Sequence, residues 1–265
     1  MRPLFALAAA LLLAAPLHAA DALSEARRLY NQGQFEAAER AAREAARTPA
    51  TADSAQLVLG RVQLERYRSS SSSTDLSDAI ASLRAVDARP LEPRERVELT
   101  IGLGEALYLE DRFGAAVPLF EIVLDASAVL GPLAHERVLD WWGSALDRQA
   151  QSRPPAERTD LYQRLRTRMA AEIVKDPGSI PAGYWVAAAA RGAGDLEGAL
   201  NEATAGWLRA VFSRDRGAAL RGDLDRLVIE GILPDRAVRL AVRDHAQVLA
   251  GMAAEWDAFK AQWAQ

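Results

Sequence analysis

The sequence has no cysteine, and it has few histidines, few aromatic residues and no excess of positive charge. Because no thiol is present, disulfide scaffolds, thiolate metal sites and cysteine nucleophiles are excluded. The 265 residues include 32 Lys and Arg against 36 Asp and Glu, which gives a formal net charge of −4. Proteins that bind phosphate backbones rely on an excess of Lys and Arg, so we expect no nucleic-acid partner.

Sequence signals of catalysis are also missing. A zinc-protease helix needs two histidines four residues apart around a glutamate, but His135 and His245 are more than a hundred residues apart. We interpret His135 as a surface residue near a helix start and His245 as a packed residue. Carboxylate pairs such as Asp140 with Asp147 are more typical of a solvated helix face than of acid–base catalysis. We therefore expect no enzymatic activity, no cofactor and no metal.

The N-terminal residues 1–20 have the three-part pattern of a secretory signal peptide. Arg2 supplies a positive charge, residues 4–15 are an unbroken apolar run of 12, and small residues precede Asp21. A membrane anchor is the alternative, but a helix needs about 20 apolar residues to cross a bilayer. We expect cleavage before Asp21, no membrane span afterwards, and a periplasmic or secreted protein whose composition is typical of bacteria.

Alanine accounts for 55 of the residues and strand-forming residues are rare outside short Val/Leu clusters, so helices are expected throughout. One pattern of small and large residues occurs three times, with successive intervals of 3, 4, 2, 3, 4 and 3. The intervals of 3 and 4 indicate helices, and the 4-2-3 step indicates a turn between two of them. The three copies are Ala26, Leu29, Gly33, Phe35, Ala38, Ala42 and Ala45; Gly104, Leu107, Asp111, Phe113, Ala116, Phe120 and Val123; and Ala187, Ala190, Gly194, Leu196, Ala199, Ala203 and Gly206.

This helix-turn-helix pattern resembles the tetratricopeptide repeat family, most visibly in residues 26–38. The resemblance implies an all-α fold, in which about five helix pairs form an α-α superhelix, or solenoid, over residues 21–206. The remaining residues, 207–265, do not match the repeat, and we expect them to form a C-terminal helical extension.

Two of the five copies are weak and contain interruptions. One places Gly60 against the second helix of its pair, at Ala79 and Leu83. The serine run at residues 69–74 predicts a flexible polar loop inside this copy. The other copy places Gly143 against Leu165 and Met169, with an insertion near residues 149–158.

In a stack of helix pairs the first helix of each pair lines the concave surface, so its remaining residues face a ligand. The resemblance therefore implies a groove for a protein or an extended peptide, lined by Arg27, Tyr30, Asn31, Arg61, Glu65, Glu105, Tyr108, Asp140, Ser144, Asp147, Tyr184 and Arg191. The charge of these positions changes from basic near the N-terminus to acidic in the middle, which would steer a peptide of complementary charge. The three tyrosines either anchor ligand side chains or merely cover the stack.

The C-terminal extension carries an apolar seam after Pro234, a residue that suits the first turn of a last helix. Val242 and His245 begin the seam, and its residues for self-association are Leu249, Met252, Trp256, Phe259 and Trp263. The seam either caps the open end of the stack or joins two copies as a homodimer.

Together these features predict a non-enzymatic scaffold or adaptor of the bacterial cell envelope. Two alternatives stay open: a structural oligomer assembled through the Trp-rich helix, and an envelope enzyme accessory or hydrolase that uses groove carboxylates. Substitutions in the groove would impair the adaptor or the hydrolase, whereas substitutions in the seam would impair the oligomer.

Overall fold

The computed structural model describes residues 20–126, 129, 131–240 and 243–263. Within these ranges the chain is all-α: most residues are helical and no β-strand occurs. None of the helices described there is both long and apolar enough to span a membrane. Apart from Ala20, the expected signal peptide lies outside the described residues.

Two units divide the chain, Met1–Gly131 and Pro132–Gln265. In the first unit, consecutive helices pack against each other as hairpins, and their first members are also neighbours, since α3 packs against α5 and shares a hydrophobic cluster with α1. The helices are α1 (residues 20–31), α2 (Phe35–Ala45), α3 (Ala52–Ser70), α4 (Ser73–Ala85), α5 (Pro93–Leu109) and α6 (Phe113–Asp125).

The second unit also consists of helical hairpins, and its C-terminal helices share one large hydrophobic cluster. Its helices are α7 (Pro132–Gln151), α8 (Pro155–Lys175), α9 (Ile180–Gly192), α10 (Leu196–Arg209), α11 (Ala218–Leu227), α12 (Leu233–Leu240) and α13 (His245–Gln262). A π-helical segment, Val228–Ile232, joins α11 to α12. One hydrophobic cluster runs from Ala187 to Trp256, across residue 206, where the repeat signal ends. The boundary between the two compact units lies at residue 131, and the second unit includes both the last strong repeat copy and the C-terminal extension.

The turn predicted by the 4-2-3 step is present in all three strong copies. Its central residue has a left-handed backbone, with φ of +72° at Gly33, +58° at Asp111 and +84° at Gly194. In each copy the N–H of this residue donates to the carbonyl three residues earlier, and the next N–H donates to the carbonyl five residues earlier, at 2.8 to 3.1 Å. This Schellman arrangement satisfies the last carbonyls of the first helix and starts the second.

Small residues let the helices of a pair approach each other, as the repeat pattern predicts. A Cβ atom at Gly60 would lie 2.7 Å from Leu83 Cγ, and one at Gly104 would lie 2.8 Å from Phe120 Cε1. Both distances are too short for non-bonded carbons, so a larger residue would force the pairs apart. The small residues of the second helices are fully buried, among them Ala38, Ala42, Ala116, Ala199 and Ala203.

The serine run does not form the expected loop. Helix α3 continues to Ser70 and α4 begins at Ser73, so only two residues connect them. The first of these, Ser71, has φ +56°. A left-handed residue reverses the chain in a short distance, which leaves the other serines free to extend the helices.

The fourth pair also differs from its sequence prediction. Gly143 makes room for α9, because a Cβ atom there would lie 2.8 Å from Trp185 Cγ. The residues expected opposite it, Leu165 and Met169, are buried in α8. The insertion expected near residues 149–158 is absorbed by two long helices, α7 with 20 residues and α8 with 21.

The expected single last helix is two helices. Helix α12 ends at Leu240 and α13 begins at His245, and Asp244 before it has φ +65°. Pro234 is the second residue of α12, whose first residue, Leu233, follows the π-helical segment directly. Because proline lacks an N–H and its ring clashes with the carbonyl four residues earlier, the wider π turn accommodates it. Val242 lies outside the described residues.

Candidate functional site

The first unit has a cavity of 250 Å³ at the exposed faces of α1, α3 and α5. Four of the predicted groove residues line it: Arg27, Tyr30, Asn31 and Arg61. The sequence analysis missed the residues in and just before α5 that complete the wall, which are Glu92, Arg94, Glu95 and Glu98. The repeat register thus identified the residues of α1 and α3 that meet here, but on α5 it identified Glu105 and Tyr108, which do not line this cavity.

Most charged side chains that line this cavity form ion pairs with each other. Arg27 pairs with Glu95, and Arg61 Nη1 donates to Glu98 Oε2 at 2.9 Å. The guanidinium of Arg61 also lies over the ring of Tyr30, 4.5 Å from its centroid. Burial acts to lower the pKa of Arg61, but Tyr30 and Glu98 together raise it above its ordinary value. The positive and negative side chains of the first-unit cavity therefore compensate each other.

Three further predicted groove residues of this unit take part in helix packing. Arg68 Nη1 lies 3.4 Å from Glu65 Oε2 and 3.6 Å from Glu105 Oε1. Glu105 is only 7% exposed, so it is a buried residue and not the open groove position expected from the sequence. The preceding residue, Gly104, packs closely against Phe120 of α6, so this part of α5 is buried. Tyr108 packs edge-on against Phe113, with ring centroids 5.3 Å apart.

The second unit has a larger cavity of 690 Å³, which we call the second-unit cavity. Its polar lining comes from α7, α9, α11 and the π-helical segment, and consists of Glu136, Arg137, Asp140, Tyr184, Arg191, Asp223, Arg226 and Glu230. Its apolar floor is formed by Leu133, Ile180, Pro181 and Leu227. Three predicted groove residues, Asp140, Tyr184 and Arg191, are therefore brought together in one cavity.

Asp140 and Tyr184 form one wall of the second-unit cavity. The Trp185 indole N–H donates to Asp140 Oδ1 at 2.8 Å, and the ring of Tyr184 packs edge-on against Trp185 at 5.1 Å. Asp140 keeps contact with solvent, yet the protein around it raises the pKa of its carboxyl, and repulsion from Asp223 adds to the rise. Burial likewise raises the pKa of Tyr184, so its hydroxyl is a donor at neutral pH.

Arg191 is held at the junction of α9 with the π-helical segment. Its Nε donates to Asp235 Oδ2 at 2.8 Å. A Cβ atom at Gly231 would lie 2.8 Å from the Arg191 Cζ atom, so the glycine leaves the space that the guanidinium occupies. The π-helical segment is thereby part of the cavity wall.

A second pocket of 350 Å³ adjoins this cavity and shares Tyr184 and Arg191 with it. Asp147, another predicted groove residue, lines it and accepts hydrogen bonds from the Tyr162 hydroxyl at 2.8 Å and from Gln151 at 2.6 Å. Ser144 is half-buried and lines neither of these two cavities.

Comparison with known proteins assigns none of these cavities. Protein-family models, curated proteins and solved structures give no match to this chain. The relation to the tetratricopeptide repeat family therefore stays a prediction from the sequence pattern. Within the described residues, no group of three or more His, Asp and Glu side chains is placed to hold a metal ion.

The apolar seam of α13 is turned into the second unit. Trp256 is 4% exposed, stacks on Phe259 at 5.3 Å and packs edge-on against Trp207 at 5.5 Å. Its indole N–H donates to Asp225 at 2.8 Å, and Lys260 donates to the same carboxylate at 2.7 Å. The other seam residues, Leu249 and Met252 among them, are partly buried against this cluster, whereas Trp263 is 41% exposed. This packing favours the cap over the homodimer.

The two histidines outside the expected signal peptide differ from their sequence interpretation. His245 is exposed and is not a packed seam residue. It is the first residue of α13, and Asp244 before it is not helical. His135 is partly buried, and its Nε2 atom lies 2.9 Å from Glu172 Oε2. Burial acts to raise the pKa of Glu172, but Lys175, His135 and Arg168 together lower it, so this cluster holds α7 to α8.

Proposed function

We propose that this chain is a non-enzymatic scaffold that binds an extended segment of a partner protein in the second-unit cavity. The observation that carries the proposal is the 690 Å³ cavity in which Asp140, Tyr184 and Arg191 come together from two first helices. Protein-binding sites combine aromatic area with a few placed polar groups, and this cavity has both. Its size suits side chains of an extended segment.

The composition of the cavity lining supports binding over covalent catalysis. Among the described residues that line the second-unit cavity, none is a Ser, Thr, Cys, His or Lys. The hydroxyl of Ser or Thr, a thiol, an imidazole and an amine are therefore missing as nucleophiles from the described lining. The Asp140 carboxylate accepts a hydrogen bond from Trp185, which suits a fixed acceptor for a ligand.

We further propose that the protein is an exported relative of tetratricopeptide repeat scaffolds. The three equivalent left-handed turns and the buried small residues support this relation. The charge, apolar run and small residues of positions 1–20 support export to the periplasm or the medium. We do not propose a structural oligomer, because Trp256, the buried tryptophan of the seam, packs inside the second unit.

Peptide binding to the purified protein tests the proposed function. We expect a library of short immobilised peptides to contain binders, and Tyr184→Ala to weaken them by about tenfold or more, since a central aromatic anchor is worth roughly 2 kcal/mol. The readout is the dissociation constant of the best binders, together with the circular-dichroism spectrum of each variant.

The matched control is Phe212→Ala, which removes an aromatic side chain that is 69% exposed and lies outside the cavity lining. This variant should bind as the wild type does. The proposal fails when no peptide binds, or when the two alanine variants lose affinity equally.

A further inference from the structure

The charged side chains of the second-unit cavity are mostly engaged with each other. Arg191 donates to Asp235 at 2.8 Å, and Arg226 pairs with Asp223. Arg137 lines the same cavity and has an interaction of its own. Among the described residues of the lining, every arginine therefore already has a partner.

Two carboxylates of the same lining are not neutralised. Asp140 accepts a hydrogen bond from Trp185 but forms no ion pair with a described residue. Glu230, in the π-helical segment, is exposed and has neither a hydrogen bond nor an ion pair in the described part of the chain. Glu136, by contrast, pairs with Arg214. The cavity thus offers two unused negative charges and no unused positive charge.

The surroundings of Tyr184 make the same wall suitable for a cation. Its hydroxyl has no hydrogen-bond partner among the described residues. After burial, Asp147, Asp223 and Asp140 raise its pKa further, whereas Arg191 acts to lower it. Repulsion between Asp140 and Asp223 disfavours two negative charges at this position. A positive ligand group would relieve that repulsion, and an aromatic ring beside it attracts a cation through its π face.

We propose that the second-unit cavity binds an arginine side chain from an extended basic segment of a partner protein, with the guanidinium between Asp140 and Glu230 and against Tyr184. This inference rests on the proposed function and adds the charge of the partner to it. Arginine fits better than lysine because its planar guanidinium stacks on aromatic rings and donates to two acceptors at once. A neutral or acidic segment would leave both carboxylates without a partner.

Four blocked peptides of equal length test this inference: alternating Ser and Arg, and the same peptide with Lys, Gln or Glu in place of Arg. We expect the Arg peptide to bind the purified protein about tenfold more tightly than the Gln peptide, with Lys between them. The Glu peptide should not bind measurably. Calorimetric titrations at low and at physiological ionic strength provide the dissociation constants.

Two double variants with the same change in net charge separate the cavity from the overall field of the protein. Asp140→Asn with Glu230→Gln removes the cavity charges but keeps an acceptor for Trp185. Asp160→Asn with Glu255→Gln removes two exposed carboxylates of the second unit outside the cavity. We expect the first double variant to reduce the preference for Arg over Gln by about fivefold, and the second by less than about twofold.

The outcomes distinguish the inference from the proposed function. If all four peptides bind equally and Tyr184→Ala still weakens binding, the charge inference is overturned and the scaffold function stands. If none of the four peptides and no library peptide binds, both are overturned. Equal losses in the two double variants would assign the preference to net charge alone and would also overturn the inference.

Discussion

The two units use similar helix faces in different ways. In the first unit the faces of α1, α3 and α5 meet around 250 Å³, and their charges are paired across helices, as between Arg61 and Glu98. In the second unit α7, α9 and α11 surround 690 Å³, and Asp140 and Glu230 have no ion-pair partner among the described residues. Pairing of charges between helices stabilises a face, whereas unpaired charges around a larger space leave a face able to bind.

The second unit contains two structural features that do not occur among the described residues of the first unit. One is the π-helical segment, whose Gly231 admits the guanidinium of Arg191 into the cavity wall. The other is the helix α13, which covers the last hairpin with Trp256. We infer that the cap supplies stability to a unit whose cavity contains uncompensated charge.

The strongest test of this difference is Trp256→Ala. Removing a buried tryptophan leaves a cavity and takes from Asp225 one of its two donors, so we expect a loss of about 3–5 kcal/mol in unfolding free energy. The loss should fall on the second unit alone. Hydrogen exchange resolved by peptide should show lost protection in residues 132–263 and unchanged protection in residues 20–126.

Trp263→Ala is the matched control, because this tryptophan is 41% exposed, and we expect it to cost less than about 1 kcal/mol. Equal loss of protection in both units after Trp256→Ala would contradict the difference between them. A change in particle mass with unchanged stability would instead support the homodimer.

Much of the fold follows from the sequence because the repeat combines local and packing signals. The 4-2-3 step predicts the turns at Gly33, Asp111 and Gly194, since a left-handed residue must end the first helix of each pair. The π-helical segment was not predicted, because it depends on how Pro234 is accommodated within a helix that other helices hold in place. The break before His245 has a sequence signal that was not used, since Asp244 is a residue type favoured at helix N-caps and in left-handed turns.

The candidate site was predicted only where the repeat register continued. Tyr184 and Arg191 lie beside and within the third strong copy, and Asp140 lies in a weak copy, but all three line the second-unit cavity. Asp223 and Glu230 lie beyond Gly206, where the register ends, and so the sequence analysis missed them. A signal was present, since Asp223, Arg226 and Glu230 are spaced by 3 and 4 residues, which places them on one helix face. Burial of Glu105 depends on tertiary packing, which the register alone does not predict.

A smaller and sharper test compares one carboxylate from each unit. In the first unit, burial acts to raise the pKa of Glu39, but Arg43 and Arg66 together lower it, so its ionised form stabilises the fold. Glu39→Gln should therefore destabilise the protein at pH 7 by up to about 1 kcal/mol. That loss should disappear as the pH falls through the lowered pKa, because the carboxyl is then protonated in both states.

Asp140→Asn should have the opposite sign. The pKa of Asp140 is raised in the folded protein, so its ionised form disfavours folding above that pKa. The variant should be slightly more stable than the wild type at pH 7, and the gain should vanish below the ordinary Asp pKa of about 3.9. Urea unfolding of both variants as a function of pH measures the two differences. The same sign for both would contradict the contrast between the units.

Photo-crosslinking of an arginine peptide tests most directly whether the second-unit cavity is the binding site. The peptide of alternating Ser and Arg carries a diazirine at its centre, and mass spectrometry locates the crosslinked residues on the purified protein. The account predicts crosslinks in α7, in α9 and in residues 223–231, which Asp140→Asn with Glu230→Gln removes. Crosslinks concentrated on the first-unit cavity, or spread evenly over the chain, would contradict it.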